Sequence, residues 1–207
     1  MDSAVFGFFQ LAVLLFSVII HEVSHGLMAL KLGDDTAKRE GRLTLNPISH
    51  IDPVGSILVP FISMYFGGFF IGWAKPVPFN PLALHKDYRY GPLKVAVAGP
   101  LSNLALAIAF GLIIRFMGGF LGASMLTLIA AIVYINLVLF IFNMMPIPPL
   151  DGSKVLSAFL PPEQARRFEM FGLNGLIFIL LFIMIFGSFI SSIVGSLFNL
   201  ITGVSML

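Results

Sequence analysis

The segment HEVSH at positions 21–25 combines residue types that bind a metal ion with one that can move a proton. On a helix, His21 and His25 lie four residues apart on one face, so both imidazoles can reach one divalent ion. Glu22 lies one position round the helix, close enough to accept a proton from water at that ion. The alternative is a pair of core histidines satisfied by hydrogen bonds, and the glutamate at this spacing disfavours it.

A metal centre that keeps one position open for water needs a third protein ligand. The chain has no cysteine, so the ligands must be nitrogen or oxygen atoms. The candidates are Asp151, His50, His85 and Asp52. We favour Asp151 because the prolines of NMMPIPPLDGSK, residues 143–154, break a helix just before it. His50 is the next choice, and a helix N-cap is the alternative role for Asp151.

The elements that must position these residues are membrane-spanning. Hydrophobic residues make up 58% of the 207 residues, charged residues 11%, and the mean hydropathy is +0.99, which is typical of an integral membrane protein. A span needs about 20 apolar residues, and the segments 4–30, 93–116, 121–145 and 173–201 meet that length. The segment 54–71 is borderline because it is short and contains a proline and a pair of glycines.

Charge within these apolar segments supports the metal hypothesis. Of the ten acidic residues, only Glu22 and Asp151 lie in or directly against an apolar segment. An ionised carboxylate inside a bilayer costs at least about 2.5 kcal/mol, so such groups are functional by default. A divalent cation would offset both charges. With Lys31 at the membrane boundary, a rise of about 1.5 Å per residue places His21 roughly 15 Å inside.

The basic residues predict the orientation, because cytoplasmic loops are enriched in Lys and Arg. If 54–71 dips in and returns, eleven of the twelve basic residues lie on one face and Arg115 alone on the other. If 54–71 crosses, five basic residues lie on the cytoplasmic face and seven on the other face. The first distribution favours a re-entrant element, an N-terminus outside and an active site in the cytoplasmic half of the membrane.

The N-terminus lacks the basic region of a cleavable signal, so we expect the first helix to be retained.

Five motifs in this order resemble the site-2 protease family of intramembrane zinc metalloproteases, in its short prokaryotic branch without a PDZ domain. They are HEVSH, GRLTLNPISHIDPVGS at 41–56, GWAKPVPFNP at 72–81, AGPLSN at 98–103 and NMMPIPPLDG at 143–152. The resemblance implies one Zn²⁺ held by His21, His25 and Asp151, with Glu22 as general base. It also implies that Asn143 assists at the active site, and that substrates are transmembrane proteins or signal peptides.

The segment WAKPVPFNP, residues 73–81, alternates Trp73, Lys75, Val77 and Phe79 with small residues and prolines. This pattern suits an extended edge that could pair with an unwound substrate peptide, and His50 could contribute to the same surface. The alternative is a plain interfacial loop in which Trp73 lies at the lipid headgroups. These five residues are therefore candidate substrate-binding residues.

Together these features predict an all-α polytopic membrane protein with four or five transmembrane helices and a re-entrant or short β-like element between the first two core spans. We expect a single membrane-embedded domain over 1–207, with its core at 4–160 and its last span or spans at 172–203. The location is the plasma membrane of a prokaryote and the partners are the bilayer and the substrate, with the oligomeric state open. The net charge of +2 does not suggest nucleic acid.

Two other classes of function fit some of these residues. A metal-binding scaffold that recognises substrates without cutting them would need the histidines but not Glu22. A metal or proton transporter would also place His and Asp inside the membrane, but repeated sites or inverted halves would then be expected, and the sequence has neither.

Overall fold

A computed structural model describes residues 2–58, 61, 65, 74–170, 172 and 175–204. The helices are α1 (Ser3–Leu32), α2 (Thr36–Arg39), α3 (Gly91–Met117), α4 (Ala123–Asn143), α5 (Asp151–Ser157), α6 (Pro162–Met170) and α7 (Gly175–Thr202). Short 3₁₀ turns occur at Pro47–His50, Pro81–Ala83 and Gly118–Phe120, and a π-helical turn at Pro53–Leu58. The all-α architecture is confirmed for this part of the chain.

Helices α1, α3, α4 and α7 are long and apolar enough to cross a membrane, as predicted from the sequence. Helix α1 begins where the Asp2 carboxylate accepts the Ala4 N–H, and it ends at Gly33, whose φ of 116° is left-handed. Helix α3 carries Pro92 in its first turn, and α4 ends just before the prolines that follow Asn143. Large apolar side chains such as Phe8 and Phe116 are exposed, as suits a lipid-facing surface.

Contacts between helices define two faces of the bundle. The Lys86 backbone N–H and Nζ donate to the carbonyls of Leu32 and Lys31, at 3.1 and 3.0 Å. The end of α1 and the start of α3 therefore lie at one face. At the opposite face, the Arg115 guanidinium donates to the carbonyl of Leu200 at 2.6 Å, so the ends of α3 and α7 lie together.

The core that supports this arrangement lies between α3, α4 and α7. Its buried side chains are Ala107, Ile114, Ile129, Val133, Leu137, Val194 and Phe198. A smaller cluster joins the end of α1 to the start of α3 through Ala29, Leu32, Leu84 and Val95. Helix α3 thus belongs to both clusters, and α1 packs against it through the smaller one.

The predicted β-like element is not confirmed, since residues 74–80 form no strand. Pro76 and Pro78 have no N–H to donate to a ladder, and the N–H groups of Lys75, Val77 and Asn80 are bonded elsewhere in the chain. Lys75 donates to the His50 carbonyl at 2.9 Å, and Asn80 donates to the Asp34 carboxylate. The hypothesis for 54–71 falls mostly outside the described residues.

Asp34 ties the start of α2 to the segment 74–80. It is buried, and its carboxylate accepts hydrogen bonds from Thr36 and Asn80. Burial alone favours the neutral acid, but these hydrogen bonds outweigh it and hold the pKa of Asp34 below its usual value. The charged form is therefore the one that stabilises this junction.

We expect Asp34→Ala to lower the free energy of unfolding by about 2–3 kcal/mol at neutral pH, because it removes the charged acceptor of the Thr36 and Asn80 hydrogen bonds. Asp35→Ala is the matched control, since Asp35 is exposed and pairs only with Arg39; its loss should cost about 0–1 kcal/mol. Thermal unfolding in detergent measures both. Because the folded-state pKa is depressed, the difference between wild type and Asp34→Ala should shrink as the pH falls below about 3.9. Equal effects of the two substitutions would contradict the role given to Asp34.

Candidate metal centre

The two histidines of HEVSH point from one face of α1 into the protein. Their side chains are buried, with His21 at 5% and His25 at 8% exposure. Their Nε2 atoms are 3.0 Å apart, and the rings meet edge to face. The spacing of four residues on a helix produces this approach, as expected from the sequence.

Asp151 reaches the histidines because the chain turns sharply after α4. Pro146, Pro148 and Pro149 prevent the helix from continuing, and α5 begins at Asp151 itself. A methyl group on Gly152 would lie against the carbonyl oxygens of Met144 and Met145, so only glycine allows this close return. The turn directs Asp151 Oδ2 to 3.0 Å from His21 Nε2 and 3.2 Å from His25 Nε2.

The three side chains fit a tetrahedral metal ion. Bonds of about 2.0 Å to such an ion separate the ligand atoms by about 3.3 Å, and the observed separations are 3.0–3.2 Å. His25 Nδ1 lies 2.7 Å from the Val95 carbonyl, which can only accept, so the proton is on Nδ1 and Nε2 carries a lone pair. A carboxylate oxygen and a bare ring nitrogen at this distance repel unless a metal ion lies between them or the nitrogen takes up a proton. These are the only His and carboxylate groups that converge in this way among the described residues.

Glu22 is half-buried and is not a member of the metal-binding cluster. Its Oε2 accepts the backbone N–H of Val77 at 2.9 Å. Arg42, which is buried, donates to the carbonyls of Lys75 and Pro76 at 2.8 and 3.3 Å and so fixes the segment that carries Val77. The Glu22 carboxylate is thus positioned by a backbone N–H group and not by a side chain of the cluster.

The other predicted residues lie around this centre in different environments. Lys75 is exposed, Phe79 half-buried and Val77 buried, while Trp73 lies outside the described residues. Lys154 Nζ is 3.5 Å from Asp151 Oδ1 and faces the Phe79 ring at 6.0 Å, which places Phe79 near the cluster.

His50 and Asn143 do not join the metal-binding cluster. His50 Nε2 donates to the Thr44 carbonyl at 2.8 Å, and the Asn143 side-chain amide donates to Leu139 of its own helix at 3.0 Å. His85 and Asp52, the remaining candidates for a third ligand, are also not members of it.

Sequence reasoning missed three residues that shape the cluster. Gly99 lies so close to both histidines that a Cβ would be 2.6 Å from His21 Nε2. Asn103 Oδ1 is 2.7 Å from His21 Nδ1, and Asn103 also bonds Asn136. From the sequence, Gly99 and Asn103 of AGPLSN indicate only close helix packing. A buried amide in an apolar helix is the signal that could have identified Asn136.

The fold and the cluster define a helical membrane protein with a buried group of side chains that could hold a divalent metal ion. Comparison with known proteins names the family. The chain belongs to peptidase family M50, the site-2 protease family, whose model matches residues 118–187.

Relatives in this family carry names that agree with the site. The chain is 39% identical to "Putative zinc metalloprotease YwhC" of Bacillus subtilis over 86% of its length and 81% of that protein. It is 31% identical to "Putative zinc metalloprotease Rip2" of Mycolicibacterium smegmatis over 73% of its length, covering 57% of the relative. "Putative zinc metalloprotease MJ0611" of Methanocaldococcus jannaschii is 36% identical over 67% of the chain and is covered over 63% of its own length. No solved structure gave a significant match.

Proposed function

We propose that this chain is an intramembrane zinc metalloprotease that hydrolyses peptide bonds within or near transmembrane segments of membrane proteins. The observation that carries the proposal is the His21–His25–Asp151 cluster, buried in a bundle of membrane-length helices. Zinc is the metal because nitrogen and oxygen ligands at tetrahedral spacing suit it. Membership of family M50 and the names of the relatives support the same activity.

The residues divide the chemistry between them. A zinc ion held by His21, His25 and Asp151 would supply Lewis acidity toward water and the substrate carbonyl. Glu22 takes the proton from the attacking water and passes it to the leaving amine. The Val77 N–H holds the Glu22 carboxylate in position for both transfers. Asn143 donates a hydrogen bond to the substrate backbone or to the developing oxyanion.

Substrate helices must unwind before attack, because their carbonyls are hydrogen-bonded internally. The segment 74–80 runs beside Glu22 and forms neither helix nor strand. We propose that an unwound transmembrane segment or signal peptide lies along it and contacts Lys75 and Phe79, with Trp73, Val77 and His50 supporting the surface.

The active site lies in the cytoplasmic half of the membrane, with the N-terminus outside. The end of α1 and the start of α3 share a face, which supports a chain that leaves α1 and enters α3 on the same side of the membrane. The basic residues other than Arg115 then lie on that face, where the positive-inside rule places the cytoplasm.

The test is cleavage by the purified protein in liposomes, against a panel of membrane-embedded single-span and signal-peptide segments. We expect chelation to abolish cleavage and one equivalent of Zn²⁺ per chain to restore it. Metal binding without cleavage of any panel member would favour a scaffold. Movement of Zn²⁺ across the liposome membrane without cleavage would favour a transporter.

A further inference from the structure

Two asparagines in the centre of the bundle have no part in the proposed reaction. Asn103 on α3 and Asn136 on α4 are both 0% exposed. An amide within a transmembrane core is costly unless each of its polar groups is bonded. Their partners lead directly to one of the metal-binding histidines.

Asn103 uses both ends of its side-chain amide. Its Nδ2 donates to the Ser17 carbonyl at 3.2 Å and to Asn136 Oδ1 at 3.0 Å. Its Oδ1 lies 2.7 Å from His21 Nδ1. Since the amide has two hydrogens and both go to acceptors, the oxygen must face His21.

Asn136 fixes the second of these acceptors. Its own Nδ2 donates to the Ile132 carbonyl, one turn earlier in α4, at 2.9 Å. The Asn136 oxygen is therefore the atom presented to Asn103. A reversed Asn136 would place its NH₂ against the NH₂ of Asn103 and leave the Ile132 carbonyl without this donor.

We infer that Asn136 and Asn103 form a relay that sets the tautomer of His21. With the Asn103 oxygen facing it, His21 Nδ1 must carry the proton, and Nε2 keeps its lone pair for the metal. Asn103 and Asn136 are thus positioning residues that act through His21 rather than on substrate. His25 needs no such relay because the Val95 carbonyl fixes its Nδ1 proton directly. The inference deepens the proposed function and rests on it for the identity of the metal as zinc.

The tautomer can be measured on the metal-free protein by ¹⁵N chemical shifts of labelled histidine, since the chain has only four histidines. We expect His21 of the wild type to be protonated at Nδ1. A His21 whose Nδ1 carries no proton in the metal-free wild type would overturn the inference without any variant. This measurement does not depend on cleavage. The tautomer can therefore be wrong while the protease activity is found, and the tautomer can be right while no cleavage is found.

Asn136→Leu removes the acceptor without touching a ligand. We expect it to shift His21 toward the Nε2-protonated form and to weaken Zn²⁺ binding about tenfold in chelator competition, in the range found for groups that orient metal ligands. Thr127→Val on the same helix, whose hydroxyl bonds only the Ala123 carbonyl, should change neither. His25 should remain Nδ1-protonated in both, which checks that the site is folded.

Asn136→Asp supplies the conservative rescue. A buried carboxyl group favours its neutral form, which can donate to the Ile132 carbonyl and accept from Asn103 as asparagine does. We expect its tautomer and Zn²⁺ affinity to match the wild type within about threefold, against the tenfold loss typical of such groups. The inference is wrong if Leu and Asp weaken binding equally, or if Leu leaves the tautomer and the affinity unchanged.

Discussion

Glu22→Gln is expected to lower kcat for peptide cleavage by about 100- to 10,000-fold, the usual contribution of a general base, while the protein keeps its zinc. Glutamine has the shape of glutamate, and its Oε1 can still accept the Val77 N–H that now holds Oε2 at 2.9 Å. Position is therefore preserved and proton acceptance is lost. The proposed metal ligands are untouched because Glu22 is not a member of the cluster that they form.

The measurement pairs initial cleavage rates of a reconstituted transmembrane substrate with zinc content by mass spectrometry. Glu40→Gln is the matched control, since Glu40 is exposed at the end of α2 and should leave both values unchanged. If Glu22→Gln cleaves at more than a tenth of the wild-type rate, Glu22 is not the base. Loss of zinc from Glu22→Gln would instead show that it supports the metal site.

Local sequence features predicted the spans and the cluster. Membrane crossing depends on the length of an apolar run, so the four spans could be located from hydropathy alone. His21 and His25 meet because a helix repeats every 3.6 residues, which needs no knowledge of the rest of the fold. The third member, Asp151, was harder to predict because it is distant in sequence. The prolines before it supplied the signal, because they must break α4 close to the membrane.

Residues whose roles depend on contacts between helices could not be predicted in this way. Asn103 suggested only close helix packing, because its partners Ser17 and Asn136 lie on two other helices. Asn136 has no motif of its own. The β-like element was expected from the alternation in 73–79. The prolines of this stretch have no N–H to donate to a ladder. The N–H groups of Val77 and Lys75 are already bonded to Glu22 and His50.

Gly99 allows helix α3 to approach the metal ligands more closely than any other residue would. A Cβ at this position would lie 2.6 Å from His21 Nε2 and His25 Cε1, and closer still to His25 Nε2. These contacts are with the atoms that would hold the metal, and both rings are fixed at Nδ1 by Asn103 and the Val95 carbonyl. A ring that moved away from the added methyl group would have to lengthen its hydrogen bond at Nδ1.

Gly99→Ala is expected to weaken Zn²⁺ binding by about 100-fold, the upper end of the losses found when the surroundings of metal ligands are changed, and to lower cleavage with it. Alanine is favoured over glycine within a helix by up to about 1 kcal/mol, so simple unfolding is not the expected cause. Gly195→Ala is the matched control, because Gly195 lies in the spanning helix α7 with open space around it. Chelator competition and thermal unfolding of both variants separate lost affinity from lost structure. A Gly99→Ala protein that binds Zn²⁺ as tightly as wild type would show that the metal does not lie between α1 and α3, because the added methyl group would occupy that space.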